Sequence, residues 1–143
     1  MSTFHVRSID LCQMSSIDRD PPHSVSMFGM LNEGRAVGLP AQIDRLTVMG
    51  LIERLSAGEA AEAGVVVRVL SPSGQEMASA ESTVPFRPEI KRFRLRLVMD
   101  GLVLHEAGTY RFEMEVTPSD GPSRSATAFY DLTYSGPANA SGA

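Results

Sequence analysis

Residues 102–116 read L-V-L-H-E-A-G-T-Y-R-F-E-M-E-V, and this stretch decides the fold class. A turn at residues 105–108 is followed by strict alternation of apolar and polar side chains. The apolar positions are Tyr110, Phe112, Met114 and Val116. Alternation with a period of two is typical of a β-strand that is buried on one face and hydrated on the other.

The residues that lead into this strand carry a second pattern. Leu104, Gly108, Tyr110 and Phe112 stand in the order Leu-x-x-x-Gly-x-Tyr-x-Phe, which resembles the tyrosine corner of immunoglobulin-type sandwiches. In that corner the Tyr hydroxyl bonds to backbone a few residues upstream, and Phe112 stands where antibody domains place a disulfide Cys. We therefore expect Gly108, Tyr110 and Phe112 to be structural residues.

The rest of the chain also consists of short β-type segments separated by turn residues. We predict further strands at residues 4–14, 24–31, 43–55, 65–70, 75–84, 92–99 and 126–134, and a tight turn at P-S-G, residues 72–74. Residues 32–35 and 38–40 are predicted to form a loop. Short strands with turns every ten residues or so predict an all-β, immunoglobulin-like antiparallel sandwich of seven to nine strands.

Length, charge and cysteine content set the broad class. With 143 residues, the chain can form one domain with its own core, so we assign residues 1–134 to an immunoglobulin-like domain and residues 135–143 to a flexible tail. The net charge of −4 gives no general attraction to nucleic acid or to an anionic membrane. The lone Cys12 and an N-terminus without an apolar signal segment predict a cytoplasmic protein.

Five segments together resemble a bacterial family of small, uncharacterised immunoglobulin-like proteins. They are I-D-L-C-Q at 9–13, S-V-S-M-F-G-M-L at 24–31, G-L-P-A-Q at 38–42, V-V-V-R-V-L-S-P-S-G at 65–74 and A-G-T-Y-R-F-E-M-E-V at 107–116. The resemblance covers residues 4–134. It implies the fold and a bacterial origin, and it carries no activity and no functional residue over to this chain.

A metal site is one catalytic hypothesis. Asp18, Asp20 and His23 belong to the cluster D-R-D-P-P-H and could gather around a divalent cation. A metal site needs three or four ligands in fixed geometry, and a solvent-exposed turn explains the same residues. We predict no metal and no cofactor.

Two further arrangements could suggest catalysis. Cys12 and one of the three histidines could form a nucleophile–base pair, although a lone Cys is more often a small buried hydrophobe. Glu106, Glu113 and Glu115 could suggest a pair of catalytic carboxylates. Because Glu113 and Glu115 share the hydrated face of one strand, solvation or ion pairing is favoured over an opposed catalytic pair. We predict that the protein is not an enzyme.

The sharpest local feature is a group of five basic residues around one predicted strand. Arg92, Arg94 and Arg96 should form a row about 13 Å long on the solvent face, and Arg87 and Lys91 precede them. Such a row could hold an acidic partner surface. The alternative is charge pairing with Glu side chains of a neighbouring strand, together with protection of a sheet edge. Aromatic residues are absent from this face, so it offers no stacking platform for nucleic acid.

These observations predict a non-catalytic protein-binding or scaffold module of the bacterial cytoplasm, acting through a protein partner or as a homo-oligomer. A sandwich that binds a small ligand or a carbohydrate is the alternative, although the chain has no Trp and only three Tyr residues to form a sugar platform. A metal-dependent enzyme that uses Asp18, Asp20 and His23 is the weaker alternative.

Overall fold

A computed structural model describes residues 4–17, 25–55 and 58–135, and strands are the only regular secondary structure in these ranges. The strands are β1 (Phe4–Ile17), β2 (Val25–Met30), β3 (Glu33–Ala36), β4 (Ala41–Arg54), β5 (Ala61–Leu70), β6 (Glu76–Phe86), β7 (Arg92–Leu104), β8 (Gly108–Pro118) and β9 (Arg124–Tyr134). The first sheet has the order β2-β1-β4-β7, and the second sheet has the order β3-β9-β8-β5-β6. The all-β prediction is confirmed, and the nine described strands lie within the predicted range.

Strand β4 is central in the first sheet and pairs antiparallel with both β1 and β7. Its buried side chains Leu46, Val48 and Ile52 alternate towards the core, as expected for β-branched and aliphatic residues in a strand. Gly50 lies on the same side of the strand. A side chain has no room there, because the methyl group of Met114 lies only 2.5 Å from where a Cβ atom would stand. The prediction of a strand over this segment is confirmed.

Strand β1 contains an irregularity in its pairing with β4. The pairing register with β4 shifts between Val6 and Ser8, which is where the apolar alternation breaks. After Cys12 the strand leaves β4 and pairs with β2 instead. A β-bulge of this kind bends a strand and changes its direction.

The second sheet contains the predicted hairpin of β5 and β6, which pair antiparallel. The connecting turn is closed by a hydrogen bond of 2.8 Å from the Gly74 N–H to the Ser71 carbonyl. Gly74 has a φ of 91°, a left-handed conformation that glycine adopts at little cost. The predicted P-S-G turn is therefore present.

Strand β3 corrects the predicted loop at residues 32–35. Glu33–Ala36 form a short strand that pairs parallel with β9, so one pairing departs from the predicted antiparallel sandwich. Local turn propensity suggested a loop, but pairing with a distant strand overrides it. Gly34 serves this pairing because a Cβ atom here would overlap the Tyr130 hydroxyl. Beyond β3 and β9, the Ser135 N–H donates to the Ala36 carbonyl at 2.9 Å, whereas residues 136–143 of the predicted tail lie outside the described ranges.

The core lies between the two sheets, and the stretch at residues 102–116 supplies much of it. Tyr110, Phe112, Met114 and Val116 are all buried, as their alternation predicts. They pack with β4 and β5 side chains in a single apolar cluster. No helix long and apolar enough to cross a membrane occurs in the described part of the chain.

The turn between β7 and β8 is closed by Tyr110. Its hydroxyl donates to the Glu106 carbonyl at 2.5 Å and accepts from the Glu106 N–H at 3.3 Å. Burial raises the pKa of this hydroxyl above its ordinary value. Gly108, at the start of β8, has a φ of 132°, and a Cβ atom there would stand 2.7 Å from Cβ of Pro72. The predicted bond from Tyr110 to upstream backbone is therefore present. The positive φ and the close contact with Pro72 explain why residue 108 is a glycine.

Candidate binding face

The basic row, defined as Arg92, Arg94 and Arg96, lies on the outer face of β7 at one edge of the first sheet. All three arginines are exposed, whereas the intervening Phe93 and Leu95 pack with the core. This is the alternation that the sequence predicts. The structure therefore places three guanidinium groups in one line on a solvent-facing surface.

Arg92 is already paired within the chain. Its Nε lies 2.6 Å from Oε2 of Glu53, which stands opposite it on β4. The other carboxylate oxygen of Glu53 lies 3.4 Å from Nε of Arg7. One carboxylate therefore serves two arginines, and the expected charge pairing with a neighbouring Glu is observed at this end of the row.

Arg96 has a backbone acceptor in place of a carboxylate. Its Nη1 donates to the Ser15 carbonyl at 3.3 Å, while the Thr47 hydroxyl donates to the Gln13 carbonyl at 3.4 Å. These two bonds place the departing end of β1 over the outer face of the first sheet. This cover explains why Thr47 and Met49 are buried although they alternate outwards.

Arg94, in the middle of the row, has no ion-pair or hydrogen-bond partner among the residues that the structure describes. It stands opposite the half-buried Leu51 of β4. Further along the same face of β7, Val98 is 49% exposed. Arginine is enriched in protein–protein interfaces, where its guanidinium group often lies next to apolar surface.

Arg87 and Lys91 lie in the loop between β6 and β7, and their side chains are exposed. The backbone of this loop is held by Arg54, which is itself only 6% exposed. The Arg54 guanidinium donates to four carbonyl oxygens: Ile90 at 2.8 Å, Glu59 at 2.6 Å, Arg87 at 2.6 Å and Pro88 at 3.3 Å. One buried side chain thus fixes the backbone from which the two basic side chains project.

Arg54 is a residue that the sequence interpretation missed. It occupies the inward parity of β4, after Ile52, and its guanidinium carbon lies 5.4 Å from the centroid of the Phe86 ring. The backbone N–H of Arg54 also donates to the Lys91 carbonyl at 2.8 Å. The available signal was this parity, because a charged residue at an inward position of a central strand needs hydrogen-bond partners.

The three residues of the alternative metal-site hypothesis are not among the described residues. Asp18, Asp20 and His23 all lie between residues 17 and 25, outside the described ranges. Within those ranges, no three His, Cys, Asp or Glu side chains converge on a possible metal position. The described structure therefore adds no support to a metal-dependent activity.

Cys12 is buried beneath the outer face of the first sheet. Burial, with a smaller contribution from the charge of Asp10, raises the pKa of its thiol. A nucleophilic cysteine needs the opposite shift, because the thiolate is the reactive form. Cys12 is therefore a packing residue in this environment.

The glutamates on the outer face of β8 are engaged in ion pairs. Glu115 lies 3.6 Å from Nη1 of Arg68 on the neighbouring β5, and Glu113 lies 3.8 Å from Nη1 of Arg111 on its own strand. Both carboxylates thus point out from one sheet face. This is the ion pairing that the sequence pattern favours over an opposed catalytic pair.

Among the residues whose side chains the structure describes, few aromatic rings are exposed to a sugar. Tyr110 and Tyr130 are buried, and Tyr134 is the exposed member of the three tyrosines. Phe129 is also exposed, but it stands beside Arg111 on the second sheet. A groove of about 650 Å³ lies between β6 and β7, and no Phe, Tyr or Trp lines it.

Comparison of the chain with models of known protein families finds no match, and comparison with curated protein sequences finds none either.

Proposed function

We propose that this chain is a non-catalytic protein-binding module of the bacterial cytoplasm with an immunoglobulin-like fold. Its basic row binds an acidic surface of a partner protein. The observation that carries the proposal is Arg94. It is exposed, lacks a partner in the described structure and stands opposite the half-buried Leu51 of β4, while the exposed Val98 lies further along the same face.

The immunoglobulin-like assignment is supported by strand order. In that fold a C-F-G group, extended by C′ in variable domains, faces a sheet that contains neighbouring A, B and E strands. Here β6-β5-β8-β9 correspond in order to C′-C-F-G, and β1-β4-β7 correspond to A-B-E. Tyr110 also stands near the start of β8, as the Tyr of a tyrosine corner stands near the start of strand F.

A protein partner is favoured over nucleic acid by the surroundings of the row. The chain carries a net charge of −4, so the row is a local excess of positive charge and not part of a basic surface. Docking a carboxylate against Arg94 forms a charge-assisted hydrogen bond next to apolar contacts. Because Arg54 already fixes the backbone of the loop with Arg87 and Lys91, little backbone conformational entropy is lost when they join the interface.

The test uses the only lysine of the chain. Lys91 adjoins the row, so a crosslink that peptide mapping assigns to Lys91, and not to the N-terminal amine, reports on molecules that lie beside the row. We expect a tagged form of the chain to capture a protein from its native lysate and to crosslink to it through Lys91. Raising the salt concentration should weaken capture, because exposed charge pairs are screened.

Charge reversal separates a specific face from general electrostatics. Arg94→Glu should abolish capture and the Lys91 crosslink. Arg124→Glu is the matched control, since Arg124 is an exposed arginine of β9 whose side chain bonds to the adjacent Ser123 carbonyl. Capture that survives Arg94→Glu, or that fails equally in both variants, would show that the basic row is solvated surface and not a binding face.

A further inference from the structure

Strand β7 leaves a long backbone edge open. In the first sheet it has β4 on one side, and no described strand pairs with its other side. Across that open side lies β6, the edge strand of the second sheet, separated by the groove of about 650 Å³ that residues 75–80 and 98–103 line. An edge of this kind presents N–H and C=O groups that can pair with another strand.

The register shows which residues of β7 present these groups. The Arg54 N–H donates to the Lys91 carbonyl, and residues 54 and 91 continue the antiparallel register of β4 and β7. Hydrogen-bonded and non-bonded pairs alternate along such a ladder. The odd-numbered residues of β7 therefore bond to β4, whereas Arg94, Arg96 and Val98 direct their N–H and C=O groups to the open edge.

We propose that β7 pairs antiparallel with β7 of a second copy of this chain, about a two-fold axis that passes beside Val98. The pairing joins two four-stranded sheets into one continuous sheet. Val98 then lies opposite Val98 of the second copy, and Arg96 lies opposite Asp100 in both directions. This dimer goes beyond the proposed partner-binding function and does not require that partner.

A second copy fits this edge because the edge is complementary to itself. Arg96 and Asp100 lie two residues on either side of Val98, and both are exposed on its face of the strand. A two-fold axis at Val98 therefore forms two opposite-charge cross-strand pairs and buries an apolar side chain that is 49% exposed. Moving the two-fold axis by two residues to Arg96, which slides the register by four residues, would instead place Arg96 against Arg96, which is unfavourable.

The groups that the pairing uses are accessible. Val98, Arg96 and Asp100 together would supply about six backbone hydrogen bonds in the dimer. Asp100 contacts Arg45 at 3.1 Å, but both side chains are more than half exposed, so this pair holds Asp100 only weakly. Charged edge strands usually prevent pairing, whereas in this register the charges of Arg96 and Asp100 are opposite and attract.

Reciprocal charge reversal tests the register. We expect the wild-type chain to sediment as a dimer at high concentration. Arg96→Asp and Asp100→Arg, each alone, should raise the dissociation constant by about tenfold or more, because each places like charges opposite one another twice. The double variant should recover dimerisation. A wild-type chain that stays monomeric up to millimolar concentration, or a double variant no better than the singles, would overturn the proposal.

Crosslinking gives a second readout that does not depend on charge. In a Cys12→Ala background, Val98→Cys should form an intermolecular disulfide on mild oxidation, since hydrogen-bonded antiparallel partners have Cα atoms about 5.5 Å apart. Arg94→Cys is the matched control, because in this register it faces Leu102 and not its own equivalent. Equal crosslinking of the two variants would refute the register. Failure here leaves capture through Arg94 unaffected, so the two proposals are tested separately.

Discussion

Tyr110 and Arg54 are both buried side chains that hold loop backbone in place, but they do so over different sequence distances. The Tyr110 hydroxyl bonds to Glu106, four residues upstream in the turn that leads into its own strand. Arg54 reaches carbonyl groups in two loops, and three of its four acceptors lie 33 to 36 residues away in sequence. The tyrosine closes a local turn, whereas the arginine joins segments that are distant in the chain.

The comparison also separates a neutral anchor from a charged one. Loss of the Tyr110 hydroxyl leaves only one N–H and one carbonyl, both of Glu106, without their neutral partner. Loss of the Arg54 guanidinium leaves four carbonyls that had shared a charged donor. Hydrogen bonds to charged groups contribute more than neutral ones, so we expect the arginine to matter more for stability.

Replacement of Arg54 should give the largest effect. Arg54→Met keeps the apolar stem of the side chain but removes every donor, and it should lower the free energy of unfolding by about 3 kcal/mol. Arg54→Lys restores the charge without the planar group of donors and should recover only part of the loss. Urea denaturation measures both. A loss below about 1 kcal/mol for Arg54→Met would mean that water satisfies the carbonyls and that the two anchors are equivalent.

Substitution of Gly108 tests the backbone on which the Tyr110 turn depends. Gly108→Ala should lower the free energy of unfolding by about 2 kcal/mol, because it adds a strained φ and an overlap with Pro72. Gly74→Ala is the control, since Gly74 also has a positive φ but has no atom within 4 Å of its added Cβ. We expect about 1 kcal/mol there. Equal losses in thermal or urea denaturation would show that Pro72 moves away freely.

Removal of the Tyr110 hydroxyl should have a smaller effect. Tyr110→Phe keeps the buried ring and loses the bonds to Glu106, which predicts a loss of about 1 kcal/mol in the free energy of unfolding. Tyr134→Phe, at an exposed tyrosine, should leave that free energy unchanged. If the two variants unfold at the same urea concentration, the hydroxyl of Tyr110 does not stabilise the turn.

Alkaline pH should weaken the stabilisation that Tyr110 provides. Burial raises the pKa of Tyr110 in the folded state, so the folded chain keeps this proton where the unfolded chain, with a tyrosine pKa of about 10, loses it. The stability contribution is complete below pH 10 or so and declines as pH rises through the folded-state pKa. Tyr130 and Cys12 act in the same direction. Urea titrations above about pH 10 should therefore show a shallower decline in Tyr110→Phe than in the wild type.

The difference between the two anchors also explains how much the sequence could predict. The Tyr110 turn can be predicted from the sequence because its partners lie within one local motif. Alternation along β8 also fixes which side chains are buried. The basic row was accessible for the same reason, since alternation puts Arg92, Arg94 and Arg96 on one face. Both features depend on short-range geometry.

Long-range features were not accessible in this way. Which arginine of the row is left without a partner depends on the register between β4 and β7, which opposes Glu53 to Arg92 and Leu51 to Arg94. The four acceptors of Arg54 depend on the spatial meeting of two loops. The strand β3 was predicted as a loop because its partner β9 lies about 100 residues away in sequence, and four residues around a glycine carry little signal of their own.

The parallel pairing of β3 with β9 has a consequence for how the protein folds. Ala36 and Tyr134 are paired although 98 residues separate them, so closing this contact confines most of the chain in one loop. Such closure carries a large entropy cost and is repaid only when the intervening strands are already in place. During synthesis β3 therefore remains without its partner until β9 has been added, after β4 to β8.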